Sequence, residues 1–231
     1  MDGDQGIIAY IIQEININLK HSKIQQRFYE KINKFSPKDK TKINEALAFA
    51  TKKHEWVYRR DNVTPYIYHP ILVSSYTMEF GNVGVDDVCA CILHDVLEDT
   101  PTPSDEIQRL FGEKCCQKVL VLSKNFDDKQ LSIEEYVEEI VKDKDSIRNK
   151  SCDIFANSHG SIFLGTDENK NNYLERMLTN YAPIINQTEK YFPKLHNLIM
   201  TSIRYSQKNS ITEDHKKTIS FLLKQKQDKI Q

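Results

Sequence analysis

Between Cys91 and Thr100 the chain reads CILHDVLEDT, which sets His94, Asp95, Glu98 and Asp99 among Ile92, Leu93, Val96 and Leu97. Burying ionisable groups among apolar ones costs several kcal/mol unless a partner compensates them. At helical spacing His94 and Glu98 form one i, i+4 pair and Asp95 and Asp99 the other, so two adjacent stripes line one side. An imidazole beside a carboxylate offers the nitrogen and oxygen donors of half a divalent metal site. Taken alone, the same residues also read as a solvated acidic helix end that carries one histidine.

Further ligands must come from elsewhere. His69 lies in TPYIYHP, just before Pro70, where a helix start can aim it into a central pocket; aromatic packing is its other reading. Asp153 lies in KSCDIFAN, with Asn157 one turn along on the same face. Ile154 and Phe155 beside it favour a partly buried segment, against the alternative of an ordinary exposed carboxylate.

The elements that must position these residues are helical. KINEALAFATKKHEWVYRR places Ile43, Ala46, Leu47 and Ala50 on one face. HPILVSSYTMEF and VDDVCACILHDVLED read as two more helices, and TPTPSDEIQRLFG as a break, a new start near Pro103 and a stop at Gly112. EKCCQKVLVLSK, SIEEYVEEIVKD and IRNKSCDIFANS continue the pattern. HGSIFLGTDENKNN reads as a polar loop, YLERMLTNYAPIINQTEKYF and FPKLHNLIMTSIRY as helices, and TEDHKKTISFLLKQKQDKIQ as an amphipathic end. IIAYIIQEININL has the spacing of a docking helix, with core packing as its default role. No alternating strand pattern stands out, so the expected class is all-α.

Composition sets outer bounds. The 231 residues suffice for one sizeable core, with 39% apolar and 28% charged residues. The 32 basic and 33 acidic residues nearly cancel, which gives no electrostatic case for DNA or an anionic membrane. Apolar runs such as GIIAYII fall far short of the ~20 residues of a span. Asp2 and Asp4 stand where a signal peptide would be basic. Five cysteines in C-x-C, C-C and single spacing point to reduced thiols and a cytoplasmic setting.

ALAFATKKH, RRDNVTPYIYHP, ACILHDVLEDT and IQRLFG, in this order and spacing, resemble the hydrolase domain of the RelA/SpoT family of HD-type (p)ppGpp hydrolases, whose small stand-alone forms include the metazoan SpoT homolog. KSCDIFAN matches the family's K-x-x-D-x-x-x-N motif with Lys150, Asp153 and Asn157. FPKLHN, a superficial match to the same signature, has Pro193 where the aspartate belongs.

The resemblance implies an HD-domain helical bundle with a metal site at its centre, where His69, His94, Asp95 and Asp153 hold one Mn²⁺. Glu98 and Asp99 match the acidic pair that positions and deprotonates the attacking water. Arg59 and Arg60 match the basic pair beside the pyrophosphate, and Lys150 and Asn157 the substrate-binding positions. His54 matches the family's first histidine, which is not a metal ligand.

The implied activity is removal of the 3′-pyrophosphate from (p)ppGpp or a related alarmone, giving GDP or GTP and pyrophosphate. The same site acting on NADPH, an adenosine alarmone or a pyrophosphorylated tRNA end is an alternative, and so is a non-catalytic alarmone-binding protein. Two stretches depart from the family pattern: EWVYRR after His54, and NSHGS, with His159 and Gly160 where an Arg-Thr pair is usual. The expected organisation is a helical extension over 1–40, the hydrolase domain over 41–210 and a C-terminal helix over 211–231. The roughly 70 residues beyond the match leave no room for a nucleotidyltransferase domain. Homo-oligomerisation stays open.

Overall fold

A computed structural model describes residues 17–164 and 166–209. The first helix, α1 (Ile17–Ile32), sends Ile24, Phe28 and Ile32, spaced four apart, into the common core. Each such burial contributes about 1.5–3 kcal/mol. α2 (Pro37–Lys53) starts at a Ser36 cap, whose hydroxyl accepts from Asp39 N at 3.2 Å, and buries Ile43, Ala46 and Ala50. It ends at Lys53, short of the EWVYRR stretch expected to continue it. Trp56 takes φ +67°, left-handed and costly for a side chain with a Cβ, and the chain then runs as an irregular loop to Tyr66.

α3 (Tyr68–Glu79) is buried from His69 through Thr77 and lies at the centre of the molecule. α4 (Val85–Leu93) packs beside it; Cys89, Ala90 and Cys91 are small enough for close approach and wholly buried. The single helix expected through VDDVCACILHDVLED is broken: α4 ends at Leu93 and a short α5 (Val96–Asp99) follows. His94 Nδ1 takes the Cys91 carbonyl at 2.8 Å, which a continuing helix would give to a backbone N–H. The Ser123 hydroxyl caps the freed His94 carbonyl at 3.1 Å.

α6 (Ser104–Phe111) and α7 (Glu113–Leu122) meet at Gly112, whose φ of +83° suits glycine. A two-strand hairpin follows, β1 (Asn125–Phe126) on β2 (Lys129–Gln130), a small departure from the all-α expectation. α8 (Ile133–Val141) opens with a Ser132–Glu135 capping box. α9 (Lys144–Gly160) starts at an Asp143 cap and is buried along most of its length.

The expected loop from His159 onward is mostly helical. α9 runs on to Gly160, a 3₁₀ turn spans Ser161–Phe163, and α10 (Asp167–Asn180) starts at the Thr166 cap. The helix expected through YLERMLTNYAPIINQTEKYF is two, α10 and α11 (Ala182–Tyr191), because Pro183 lacks an N–H and would clash with the carbonyl four residues back. α12 (Pro193–Lys208) packs on α9. The amphipathic C-terminal stretch and most of IIAYIIQEININL lie outside the described residues. Among the described residues no helix is long and apolar enough to cross a membrane.

Candidate active site

His69 stands in the first turn of α3, His94 and Asp95 in the α4–α5 break, and Asp153 midway along α9. Their donor atoms converge. His69 Nε2 lies 3.0 Å from Asp153 Oδ1 and 3.6 Å from Asp95 Oδ2. His94 Nε2 lies 3.0 Å from Asp95 Oδ2 and 3.7 Å from Asp153 Oδ1. Donors about 2.1 Å from one cation stand roughly 3.0–3.4 Å apart, so this spacing suits a shared ion.

The tautomer agrees. A carbonyl only accepts, so the bond to Cys91 O puts a proton on His94 Nδ1 and turns Nε2 towards the cluster. That Nε2 is buried and makes no hydrogen bond. His69, His94 and Asp95 alone form a group able to hold a metal ion.

The electrostatics also call for positive charge. Burial lowers the His94 pKa, but Asp95 and Asp153 outweigh it and hold the ring well above the usual histidine range. Burial and Arg59 push His69 down to about 4, so of the two imidazoles His94 is the one its surroundings favour as a cation. Burial opposes ionisation of both carboxylates, yet Asp95 is held low by His94, and Asp153 by Lys150 and the histidines.

Around the four donors the expected residues separate by task. Lys150 Nζ donates to Asp153 Oδ2 at 2.8 Å and sits over the Tyr136 and Tyr181 rings, 5.3 and 5.0 Å from their centroids. It lies behind Asp153, in the core. Asn157 donates to Asp153 Oδ1 at 2.7 Å and accepts from Arg59 Nη2 at 3.0 Å, tying the basic loop to the carboxylate. The Arg60 guanidinium lies 4.3 Å from the Tyr173 ring centroid.

Arg59, Arg60, Thr64, His69, His159 and Phe163 line one cleft that opens beside the donors, with Ile24 of α1 on its wall. The acidic pair divides: Glu98 accepts from the Lys124 backbone N–H, whereas Asp99 faces Asp95. Partial burial and the Asp95 charge push Asp99 up to about 6.

Two contributors were missed in the sequence. Tyr66 donates to Asp95 Oδ2 at 2.7 Å, and Asp61 holds the basic loop by accepting from Val63 N, Thr64 N and the Thr64 hydroxyl. Tyr66 stands three residues before His69, a spacing that would have placed it near the ligand; Asp61 follows Arg60 in the pattern of a turn-forming aspartate.

Known proteins match the same region. The HD domain family matches residues 46–148. The human guanosine-3′,5′-bis(diphosphate) 3′-pyrophosphohydrolase MESH1 is 40% identical over 89 residues, 38% of this chain and 48% of that protein. The guanosine-3′,5′-bis(diphosphate) 3′-pyrophosphohydrolase of Aquifex aeolicus is 37% identical over 90 residues, 39% of this chain and 13% of that protein. The chain thus spans about half the length of the human relative and a small part of the bacterial one.

A solved structure, described as a metazoan ortholog of SpoT that hydrolyzes ppGpp, superposes with a TM-score of 0.59 at 25% identity, covering 71% of this chain and 94% of that one. The domain match stops before Asp153, so that residue enters the site on geometry. Residues 46–148 thus match the HD domain family, and over this region the chain is similar to proteins named as guanosine-3′,5′-bis(diphosphate) 3′-pyrophosphohydrolases.

Proposed function

We propose that this protein removes the 3′-pyrophosphate from ppGpp, pppGpp or a closely related alarmone, with one Mn²⁺ held by His69, His94, Asp95 and Asp153. The observation that carries the reading is the convergence of His69, His94 and Asp95, with Asp153 Oδ1 3.0 Å from His69 Nε2 and the buried His94 Nε2 left without a hydrogen-bond partner. A bound divalent cation lowers the pKa of water and neutralises charge developing on a phosphoryl oxygen.

The protein's own groups supply the rest. Asp99 accepts the proton of the water that adds to phosphorus, while the 3′-ester oxygen departs, takes a proton from solvent to become the 3′-hydroxyl, and leaves GDP or GTP beside pyrophosphate. Glu98, fixed by the Lys124 N–H, closes the acidic side of the site. Arg59 and Arg60 line the cleft as cations for the pyrophosphate, a task suited to guanidinium geometry. Asn157 orients the nucleotide from beside Arg59. Lys150 serves the substrate indirectly, by keeping Asp153 ionised. All five cysteines are free and buried, which supports a reducing, cytoplasmic setting.

A second substrate is favoured by one observation. His159 and Gly160 line the cleft where relatives place an Arg-Thr pair, so its nucleotide end differs from theirs. NADPH, adenosine alarmones and pyrophosphorylated tRNA are the candidates to compare.

The test is product release from ppGpp by metal-stripped protein, with and without Mn²⁺, beside Asp95→Ala. GDP and pyrophosphate should form only with metal and only in the wild type. If ppGpp stays intact while Mn²⁺ binds, the alarmone assignment fails and the metal site stands.

A further inference from the structure

Arg59 and Arg60 line the same cleft but are held by different means. Arg59 gives Nη2 to Asn157 at 3.0 Å. Arg60 lies with its guanidinium 4.3 Å from the centroid of the Tyr173 ring, and its Nη1 is buried and makes no hydrogen bond. The carboxylate next to it in the chain is committed elsewhere. Asp61 Oδ1 accepts from Val63 N and Thr64 N at 3.0 and 2.8 Å, and Oδ2 from the Thr64 hydroxyl at 2.6 Å. Thr64 O in turn accepts from Arg59 N at 2.8 Å, which closes the loop on itself. Tyr173 reaches this loop from a rigid helix. It stands beside Leu174, which α10 buries completely, with buried Met177 one turn on. The start of α10 is pinned by the Thr166 cap and by buried Lys170, whose Nζ donates to Asp167 Oδ1 and to the Asn209 carbonyl.

An arginine side chain has several rotatable bonds, so a free guanidinium loses entropy when it binds a ligand. A carboxylate partner would fix the group, but it would also neutralise it and occupy the N–H edge that an oxyanion needs. An aromatic ring fixes it through its flat face and leaves charge and edge available. We propose that Tyr173 is a positioning residue whose ring holds the Arg60 guanidinium at the cleft wall, uncommitted, for an oxyanion of the substrate. The inference rests on the pyrophosphate-binding role given above to Arg60. The ring does the holding, and the hydroxyl takes no part. Anion binding of this kind is made in the ground state and the transition state alike, so its loss falls on KM and not on kcat.

Tyr173→Leu removes the ring and keeps an apolar group beside the core. With ppGpp and Mn²⁺, KM should rise about 3–30-fold, the span of a partly desolvated cation–π contact, while kcat stays within about twofold. Inorganic pyrophosphate titrated into the Mn²⁺-loaded full chain should bind more weakly by a similar factor. Tyr173→Phe keeps the ring and should recover most of the loss. In an Arg60→Ala background the ring has nothing to hold, so Tyr173→Leu should add less than about twofold. Tyr173→Met takes its place if leucine lowers the unfolding midpoint. Wild-type KM and pyrophosphate affinity in the ringless variant would overturn the assignment. So would an equal loss with Arg60 already removed, since the ring would then act on something else. If the wild type leaves ppGpp untouched, the substrate reading fails separately and the pyrophosphate titration decides: weaker binding without the ring upholds the role of Tyr173, unchanged binding ends it.

Discussion

Two buried charge clusters link α4 to α9, and they are built to opposite ends. At the helix starts, Asp87 of α4 accepts from Lys118 Nζ at 2.9 Å and lies 3.4 Å from Arg148 Nη2, while Arg148 Nη1 reaches Asp145 at 2.7 Å. Further along, Cys91 and Cys152 share Thr77 as a neighbour. Beyond them lie His94 and Asp95 against Asp153. The first cluster sets two cations against two carboxylates. The second sets Asp95 and Asp153 against Lys150 and one imidazole proton, with Asp99 and Glu98 close by. Burial alone does not mark a site: an excess of carboxylates around converging imidazole nitrogens does.

The largest effect should separate the two clusters outright. Asp95→Ala removes a metal donor, which forfeits several kcal/mol of charge stabilisation, so ppGpp turnover should fall on the order of 10³-fold. Excess Mn²⁺ should raise the wild-type unfolding midpoint and leave that of the variant in place. Arg148→Ala should do the reverse. It leaves the buried Asp87 to Lys118 and removes the Asp145 contact, at a cost of about 1–3 kcal/mol of stability, read by denaturant titration. Turnover per folded molecule should stay at the wild-type level. A variant of Arg148 that folds normally and loses Mn²⁺ binding would merge the two clusters into one.

Within the site, Asp99 carries a pH signature. Its pKa is pushed up to about 6 by burial and by the Asp95 charge. It must be ionised to accept a proton, so activity should fall as pH drops through that region, and a cation beside Asp95 moves the limb lower still. The acidic limb of kcat should therefore lie at or below about 6. Asp99→Asn should lower kcat about 10²–10⁴-fold with Mn²⁺ binding retained. A limb well above 6, or a variant with near-normal kcat, would remove Asp99 from the proton transfer.

The meeting of His69, His94 and Asp95 and most helix cores were legible because apolar spacing and ordered motifs are local properties of the chain. The break at His94 was not. The residues keep helical character, and only the imidazole's capture of the Cys91 carbonyl turns the ladder aside. Lys150 reads as a phosphate ligand by type, yet three dimensions place it behind Asp153 between two tyrosines. Tyr66 carries no periodic signal, since its task depends on a loop meeting a helix break far along the chain. The helical start at Asp167 was hidden by a run of polar residues on a mostly exposed helix, where burial writes little into the sequence.

The smallest expected effect tests how tightly the first cluster is packed. Gly81 follows α3, and a Cβ there would meet Arg148 Nη1 at 2.8 Å and its Cδ at 3.1 Å. The end of an arginine side chain usually swings aside, but this one is 3% exposed and held by Asp145 and Asp87. Gly81→Ala should force it to give ground and lengthen the Asp87 contact, at a cost of about 1–3 kcal/mol typical of overpacking. Thermal unfolding should register the loss, while kcat and Mn²⁺ affinity stay at wild-type values. If stability is unchanged, the arginine has room to move and the cluster is looser than its distances imply. If Mn²⁺ affinity drops as well, strain at the helix starts reaches Asp153, and α9 transmits what the comparison treats as separate.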